Sequence, residues 1–303
     1  MDITVIYFNK EKKRDIGPDI NALMNQETDC KYQVLVVDNC SKNPYLKNIE
    51  DMPLQLINID HKTGWINLMN LAIEQAKYDI LAITDSHCIV SKNWVDSICK
   101  NFGDSNIVSG FVDQGHSFKA RFSVLTTHYD FAIDEITTLD NIFDGNFVVR
   151  KDYLKDYLNE FFADQNIGAG AAVYVLAQRI IHNGERIRHE PEIRVWHQSE
   201  GFAQSLYLWG FIFGPNSITA RRIEPSLKGA KHLKYGPLIP FIFTAGRWLS
   251  LTKIFFTNWH KCGIRIYELP VYFLWYHFCV IAYFLGVSFA LLNRKSFRNT
   301  SEL

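Results

Sequence analysis

The sequence predicts an α/β fold with a mostly parallel sheet and flanking helices. Three observations predict it: short apolar runs with the composition of buried strands, helical patterns between these runs, and an Asp-x-His pair directly after the fourth run. Strands that alternate with helices are joined by right-handed crossovers, which make successive strands parallel. We therefore expect a ligand site at the carboxyl ends of the strands, where open α/β sheets bind ligands.

The first part of the chain supplies these elements in alternation. Strands are predicted at residues 3–8, 33–38, 54–59 and 80–84, and helices up to about residue 25, briefly after the second strand, and at 64–76. The helix at 64–76 is predicted because its apolar residues recur at helical spacing. The run at 80–84 is apolar except for Thr84, which is typical of a central strand buried on both faces.

Asp85 and His87 follow this last strand. Side chains two residues apart on an extended segment point to the same side, so both can reach one cation. A carboxylate with an imidazole favours Mn²⁺ among the divalent ions of the manganese, magnesium and zinc type. The alternative is that the two residues only cap the strand and the next turn.

Three stretches of the chain resemble, in the same order, the nucleotide-sugar-binding half of the family-2 glycosyltransferases. They are the run at 34–41 (VLVVDNCS), the run at 64–70 (GWINLMN) and the run that ends in Asp-Ser-His-Cys at 85–88. The last motif is also the metal motif of the polypeptide N-acetylgalactosaminyltransferases. The resemblance covers about residues 1–200. It implies a GT-A fold that transfers a sugar from a nucleotide diphosphate sugar, with a UDP-linked donor expected, and Mn²⁺ or Mg²⁺ as the cofactor.

The same resemblance implies roles for individual residues. Asp38, at the end of the second strand, is expected to bind the uracil or the ribose, and Asn9 to close the other side of the base. Asp85 is expected to contact both the nucleotide and the metal. His197, after the run Val195-Trp196, is expected as the third metal ligand beside Asp85 and His87. For Asp38 the alternative is a turn residue.

The family's general base has no counterpart in this sequence. Inverting family-2 enzymes carry a Glu-Asp pair at the start of the helix that precedes the ligand histidine, and here Ala172 and Val173 stand there. One explanation is a base elsewhere, with Asp144 and Asp164 as the available carboxylates. A second is a reaction that needs no base, either because the acceptor is an anion such as a polyprenyl phosphate or because the reaction is retaining. A third is a degenerate protein without turnover.

Composition excludes some partners and indicates a compartment. The 32 Lys and Arg balance the 32 Asp and Glu, so nothing in the charge indicates a nucleic-acid partner. The six cysteines show no C-x-x-C spacing, and the amino terminus enters a strand without a signal peptide. We therefore expect a cytosolic, reduced catalytic domain.

The carboxyl-terminal part predicts membrane association. Residues 271–292 carry no formal charge and would extend about 33 Å as a helix, close to the ~30 Å of a bilayer core, so a membrane span is favoured over a buried helix. Basic residues follow at Arg294, Lys295 and Arg298. Residues 238–256 are also apolar, but Arg247 and Lys253 favour an interfacial helix there.

These observations together predict three regions. Residues 1–200 form the nucleotide-sugar-binding and catalytic domain, 201–235 a helical segment on the acceptor side, and 236–303 the interfacial and transmembrane helices. In the second region, Arg221 and Arg222 either touch phosphate or lipid headgroups or are solvated. The expected function is metal-dependent transfer to a glycan or a lipid-linked acceptor at the membrane. The alternative is a membrane-bound nucleotide-sugar-binding or interaction protein.

Overall fold

A computed structural model of the chain describes residues 1–9, 15–159, 168–198 and 201–292. Within these ranges, nine strands form one sheet. They are β1 (Ile3–Asn9), β2 (Tyr32–Asn39), β3 (Gln55–Ile59), β4 (Ile80–Asp85), β5 (Cys88–Val90), β6 (Ile107–Asp113), β7 (Thr137–Leu139), β8 (Asn146–Arg150) and β9 (Ile187–His197).

The helices flank the sheet and then continue beyond it. They are α1 (Gly17–Met24), α2 (Trp65–Gln75), α3 (Trp94–Asn101), α4 (Phe118–Ser123), α5 (Lys151–Asn159), α6 (Ala169–His182), α7 (Phe202–Tyr207), α8 (Gly214–Ile223), α9 (Ile239–Asn258) and α10 (Leu269–Leu292). Shorter 3-10 turns lie at Pro44–Ile49, Tyr129–Phe131, Ala230–Leu238 and Ile266–Glu268, and π-helical turns at Val124–His128 and Leu208–Phe213.

The sheet is parallel in one half and mixed in the other. Its order is β3-β2-β1-β4-β8-β6-β9-β5, with β7 paired to β9. The pairs β3-β2, β2-β1 and β1-β4 are parallel, whereas β8 runs antiparallel to both β4 and β6. The predicted α/β fold is confirmed. The predicted strands at 3–8, 33–38, 54–59 and 80–84 are β1 to β4, each within a residue or two at its ends.

Two hydrophobic cores hold the molecule together. The larger one lies between the sheet and helices α1, α2, α3, α5 and α6, and strands such as β1 are buried along their whole length in it. The smaller one lies among the carboxyl-terminal helices and includes Trp209, Tyr272 and Tyr283. Phe122 and Leu125, from the segment after β6, also pack in this second core. The second core is therefore built from two stretches of the chain, the segment after β6 and the carboxyl-terminal helices.

Helices α9 and α10 lie side by side and antiparallel. Phe241 packs against Phe284 at one end of the pair, and Phe255 packs against Phe273 at the other. By length and composition, the helical stretches Ala230–Asn258 and Ile266–Leu292 could each cross a membrane. One face of α10 is buried against α8 and the π-helical turn before it, and its other face exposes large apolar side chains.

Cys30, before β2, and Cys99, on α3, are joined by a disulfide. The two positions are 69 residues apart in the chain, so no local spacing in the sequence indicates the bond. The other four cysteines, Cys40, Cys88, Cys262 and Cys279, take no part in this disulfide.

Candidate active site at the edge of the sheet

The carboxyl ends of β1, β2 and β4 form the edge at which the polar residues meet. Asn9 is directly opposite Asp38 across β1 and β2, and Phe8 is opposite Asp85 across β1 and β4. The three strands end at the same edge of the sheet, with the Asp85 side chain starting on the face of Phe8 and those of Asn9 and Asp38 on the other face. The backbone N–H of Ser86 donates to the carbonyl of Phe8 at 3.1 Å, which holds the turn after β4 against β1.

Asn9 and Asp38 are linked directly in this edge. The Asn9 Nδ2 donates to Asp38 Oδ1 at 2.6 Å and to Ser41 Oγ at 3.2 Å. The Ser41 hydroxyl and backbone N–H each donate to a carboxylate oxygen of Asp38, at 2.5 and 3.0 Å. All three residues are buried. The bonds fix the Asp38 carboxylate in one orientation at the end of β2.

Asp85 and His87 lie on the tight turn between β4 and β5. The His87 backbone N–H donates to Asp85 Oδ1 at 3.0 Å, and His87 Nδ1 lies 3.6 Å from Asp85 Oδ2. The side chain of Asp85 is 14% exposed and that of His87 35% exposed, so the carboxylate is held while the ring has room to turn.

His197 reaches the same place from the far end of the chain. Strand β9 pairs antiparallel with β5, and this pairing puts His197 directly opposite Cys88. The ring centroids of His197 and His87 are 6.1 Å apart. The structure thus brings together Asp85, His87 and His197, the three residues that the sequence predicts as metal ligands.

A second layer of side chains surrounds His197. The ring of His128 lies 5.0 Å from that of His197, and the ring of Phe143 meets it edge-on at 5.5 Å. Gln114 Nε2 is 2.7 Å from His128 Nδ1 and 3.5 Å from His197 Nδ1. Burial, and then the neighbouring His197, lower the pKa of His128 well below its usual range.

Negative side chains crowd the other side of the turn. Burial raises the pKa of the Cys88 thiol well above its usual value, and the charges of Asp85 and Asp144 raise it further. Gly145 packs closely against Cys88 and Asp85, since a Cβ at this position would lie 2.7 Å from Cys88 Sγ and 3.2 Å from Asp85 Oδ1. Asp144 therefore stands beside the predicted metal ligands, and only a glycine fits next to it.

The chemistry of this cluster fits a divalent cation. Carboxylates and imidazoles together suit a manganese-type ion, and two carboxylates close to two histidines make an anionic site. In the present rotamers, no three His, Cys, Asp or Glu side chains of residues 1–9, 15–159, 168–198 and 201–292 form a ready metal-holding group. Imidazole nitrogens on one ion lie at most about 4 Å apart, so the His87 ring has to turn from Asp85 toward His197.

Ala172 and Val173 lie in the first turns of α6 and are buried in the larger core. Neither side chain can accept a proton. Of the two carboxylates proposed as replacement bases, Asp144 lies beside Asp85 and Cys88. Asp164 lies outside the described residues. The basic residues predicted to follow the membrane span, Arg294, Lys295 and Arg298, lie outside them too. Arg221 donates to the carbonyls of Ser217 and Lys228, so its guanidinium serves the end of α8.

Sequence reasoning missed Gln114, His128 and Asn146. Asn146 is fully buried; its Nδ2 donates to the carbonyls of Phe111 and Ile193, and its Oδ1 accepts from Trp94 Nε1. These bonds hold β8 to the irregular pairing of β6 and β9. A polar residue inside an apolar strand was the available signal for Asn146, but its partners are 35 to 52 residues away.

Comparison with known proteins is consistent with this geometry. The chain matches the family model described as Glycosyl transferase family 2 over residues 2–158, just over half of its 303 residues. Mannosyltransferase PcManGT from Pyrobaculum calidifontis, in complex with GDP-Man and Mn²⁺, is similar at a TM-score of 0.61 and 16% identity, over 97% of this chain and 88% of that chain.

Two further solved structures are similar. TarS 1–349 from S. aureus has a TM-score of 0.51 and 14% identity, over 95% of this chain and 91% of that chain. GalNAc-T7 with UDP, GalNAc and Mn²⁺ has a TM-score of 0.51 and 13% identity, over 77% of this chain and 53% of that chain, so this chain spans about half its length. No curated protein is significantly similar in sequence. At these identities, the structural likeness establishes the fold.

Proposed function

The chain belongs to glycosyl transferase family 2, and we propose that it moves a sugar from a UDP-linked donor to an acceptor at the membrane, with a divalent cation as cofactor. The observation that carries this proposal is the convergence of Asp85, His87 and His197 at the edge of the sheet. The solved relatives PcManGT and GalNAc-T7 were both observed with Mn²⁺ and a nucleotide or nucleotide sugar, which supports the same chemistry here.

In this proposal, Asp85, His87 and His197 hold Mn²⁺, with Mg²⁺ as the second choice. When bound, the ion neutralises the charge that develops on the departing diphosphate. Asp85 is already oriented by the backbone of His87. The side chain of His87 is 35% exposed, so its ring can rotate onto the ion without disturbing the core.

Asp38 and Asn9 bind the nucleoside. Asp38 accepts three hydrogen bonds inside the protein, and a carboxylate has about four acceptor positions, so one is left for a uracil imide or a ribose hydroxyl. The pair lies at the end of β1 and β2, beside β4 and Asp85. The nucleoside and the diphosphate are therefore bound by neighbouring strands.

The acceptor is a lipid-linked phosphate. General-base help is worth ~10²–10⁴ in rate for a hydroxyl acceptor, yet Ala172 and Val173 occupy the position where the family resemblance implies a base. A phosphate acceptor is already ionised at neutral pH and needs no base. If a glycan hydroxyl is the acceptor instead, Asp144 or Asp164 has to serve, and Asp144→Asn then lowers turnover by a similar factor.

The membrane faces helices α9 and α10. Large apolar side chains are exposed along both helices: Phe241, Leu249, Phe256, Val271, Leu274, Phe278, Ile281, Leu285, Phe289 and Leu292. An exposed apolar surface of this extent is typical of a membrane or protein interface. With the catalytic domain on the cytosolic side, the edge of the sheet is reached by cytosolic nucleotide sugars and the helical side by lipids.

Donor hydrolysis by the purified protein tests this function. Each of a panel of UDP- and GDP-sugars is incubated with Mn²⁺, and free sugar is measured for the wild type, Asp85→Ala, and Asp104→Ala as the control. Asp104 is an exposed carboxylate away from the edge. We expect release from one donor, lost in Asp85→Ala and with chelator, and kept in Asp104→Ala.

The missing base favours one further candidate, a protein that binds nucleotide sugar without turnover. Calorimetric titration of the protein with UDP, in the presence of Mn²⁺, distinguishes this candidate from the transferase. Binding that depends on Asp85, together with no release from any donor and no transfer to a lipid phosphate, identifies the binding protein. Absence of both binding and release contradicts the two functions together.

A further inference from the structure

Helix α10 has two different faces along its whole length. Its exposed apolar side chains recur every three or four residues from Val271 to Leu292, and its buried side chains form the opposite stripe from Tyr272 to Ala290. At 1.5 Å per residue, the exposed stripe is about 32 Å long. One side of the helix therefore rests on protein, and the other has the surface of a helix that meets an apolar phase.

The buried face of α10 is bound to the rest of the protein at more than one level. Glu268, directly before the helix, pairs with Arg121 of α4, and both side chains are less than a fifth exposed. Further along, the Tyr283 hydroxyl donates to Ser217 Oγ on α8 at 2.8 Å. The helix is therefore fixed against the protein near its start and near its middle.

This packing opposes a membrane span. Tyr283 lies near the middle of the exposed stripe, so in a spanning helix Ser217 would lie near the centre of the bilayer. Glu224 follows Ser217 at a distance of about 10 Å along α8, and it pairs with Arg179 of α6. Because half of a bilayer core is about 15 Å, this ion pair would then lie in hydrocarbon, where an ion pair is costly.

The region that contains these helices is strongly basic. Between residues 201 and 292, nine Lys and Arg stand against two carboxylates, Glu224 and Glu268, which pair with Arg179 and Arg121 from the first 200 residues. Six of the nine basic residues are exposed: Lys228, Lys231, Lys234, Lys253, Lys261 and Arg265. Among the residues that the structure describes, these six have no carboxylate in an ion pair. Such a surface complements an anionic one.

The exposed basic residues border the apolar face. On α9, Lys253 comes four residues after Leu249 and three before Phe256, so it lies beside both on the same side of the helix. The others lie at the two ends of the helix pair: Lys228, Lys231 and Lys234 before α9, and Lys261 and Arg265 in the turn between α9 and α10. Both groups can reach the same layer of headgroups only if the pair lies along one surface of the membrane.

We propose that α9 and α10 lie in one leaflet of an anionic bilayer, parallel to its surface, and do not cross it; this inference rests on the membrane part of the proposed function. The exposed apolar side chains enter the boundary between headgroups and acyl chains to a depth of about 5–10 Å. The six basic side chains contact lipid phosphates around them. Helices α4 and α8 hold the catalytic domain above the surface.

Vesicle flotation of the full chain tests the lipid charge. The vesicles are phosphatidylcholine alone or phosphatidylcholine mixed with phosphatidylglycerol. We expect binding to the anionic vesicles to be at least about a hundredfold tighter at low salt, with the difference shrinking as salt is added. Lys253→Gln with Lys261→Gln should weaken anionic binding about twentyfold, or about fivefold per charge. Lys77→Gln with Lys100→Gln, which removes two exposed charges from the sheet domain, should leave it unchanged.

Label depths along α10 test the orientation. Val271→Cys, Ile281→Cys and Phe289→Cys are made singly with the partly exposed Cys40 and Cys262 replaced by serine, and each carries a nitroxide. The protein is reconstituted from detergent into the anionic vesicles, which permits either orientation, and power-saturation electron paramagnetic resonance measures depth. We expect three equal depths, whereas a span of about 27 Å between the outer labels would place Ile281 deepest by about 13 Å.

Equal binding to the two kinds of vesicle, or equal losses in the two lysine pairs, overturns the anionic surface. A depth profile that is deepest at Ile281 overturns the orientation. Absence of binding to either vesicle overturns the whole inference together with the membrane part of the proposed function. Donor hydrolysis is measured on the same protein without vesicles, so failure of the transferase function is detected separately from each of these results.

Discussion

His197 lies directly opposite Cys88 in the antiparallel pair formed by β5 and β9. This register carries the ring of His197 to 6.1 Å from that of His87, the residue before Cys88. A slip of one residue in the pairing would turn the His197 side chain to the other face of the sheet. The candidate metal site therefore depends on the pairing of two strands that are about a hundred residues apart in the chain.

Replacement of His197 tests the metal site directly. His197→Ala removes one of three protein donors, so we expect Mn²⁺ affinity to fall by more than the ~10–100-fold that the loss of a supporting residue costs. The measurement is an electron paramagnetic resonance titration of free Mn²⁺. His182→Ala, at the exposed end of α6, is the matched control and should leave the affinity unchanged. Equal affinity in His197→Ala and the wild type rules this residue out as a ligand.

Gln114 is expected to hold His197 in the tautomer that binds metal. Its Oε1 is buried without a hydrogen-bond partner in the described residues. Its Nε2 lies near the Nδ1 atoms of two histidines, His128 and His197. The two ends of an amide exchange by a half turn. After that turn, Oε1 accepts the Nδ1–H of His197 and leaves the Nε2 lone pair of that ring for the ion.

Gln114→Leu should then weaken Mn²⁺ binding by ~10–100-fold while the fold is kept. The same titration measures it, with Gln75→Leu, on the exposed face of α2, as the control for loss of a surface amide. An affinity within a factor of two of the wild type would show that Gln114 only fills space.

The sequence predicted the half of the site that is local in the chain. Asp85 and His87 follow a continuous apolar run, and that pattern alone indicates a buried strand that ends at a polar edge. Asn9 and Asp38 lie at or just after the ends of predicted strands, and their expected roles came from the family resemblance. His197 needed the family resemblance, since its strand pairs with a three-residue strand that no periodicity reveals.

The remaining residues could not be predicted because their roles come from tertiary contacts. Gln114 lies 83 positions before His197, and nothing in its own segment indicates that contact. The same holds for the Cys30–Cys99 disulfide, whose two residues are 69 positions apart.

Asn146 should be essential for the stability of the sheet beside the site. Asn146→Ala leaves the carbonyls of Phe111 and Ile193 and the indole N–H of Trp94 buried without partners. At ~1–3 kcal/mol for each unsatisfied group, we expect a loss of at least ~3 kcal/mol, seen as a large drop in the thermal midpoint. Asn25→Ala, which removes an exposed bond, should change stability by less than ~0.5 kcal/mol. Similar midpoints for the two variants would contradict this account.

The ion pair between Arg179 and Glu224 should make stability depend on pH. Arg179 Nε lies 2.8 Å from Glu224 Oε2, and both side chains are less than a fifth exposed. Burial raises the pKa of Glu224, but hydrogen bonds from Ser226 and Arg179 lower it more, so the net pKa is below its usual 4.5. A carboxylate with a lowered folded pKa stabilises the protein above its unfolded pKa and loses that contribution as the pH falls through the folded value.

Glu224→Gln should therefore destabilise the protein by about 1–3 kcal/mol near neutral pH. The difference from the wild type should shrink below pH 4.5 and vanish once Glu224 is protonated in both states. The thermal midpoints of both proteins are measured across this pH range. Glu74→Gln, on the exposed face of α2, is the control, and its difference from the wild type should not change with pH. A difference that stays constant with pH would mean that the substitution acts through packing and not through charge.

The close crossing of α10 and the π-helical turn before α8 should tolerate no side chain at Gly286. A Cβ on Gly286 would lie 1.9 Å from the carbonyl oxygen of Gly210, which is backbone and cannot move aside alone. We expect Gly286→Ala to cost ~1–3 kcal/mol and to lower the thermal midpoint of the helical part.

Two controls separate this clash from a general effect of replacing glycine. Gly246→Ala on α9 meets nothing within 4 Å and should raise the midpoint or leave it unchanged, because alanine favours a helix by ~0.5–1 kcal/mol. Gly210→Ala, on the other side of the same crossing, places its Cβ 3.4 Å from the nearest atom and should be tolerated, so equal losses at Gly210 and Gly286 would contradict the predicted contact.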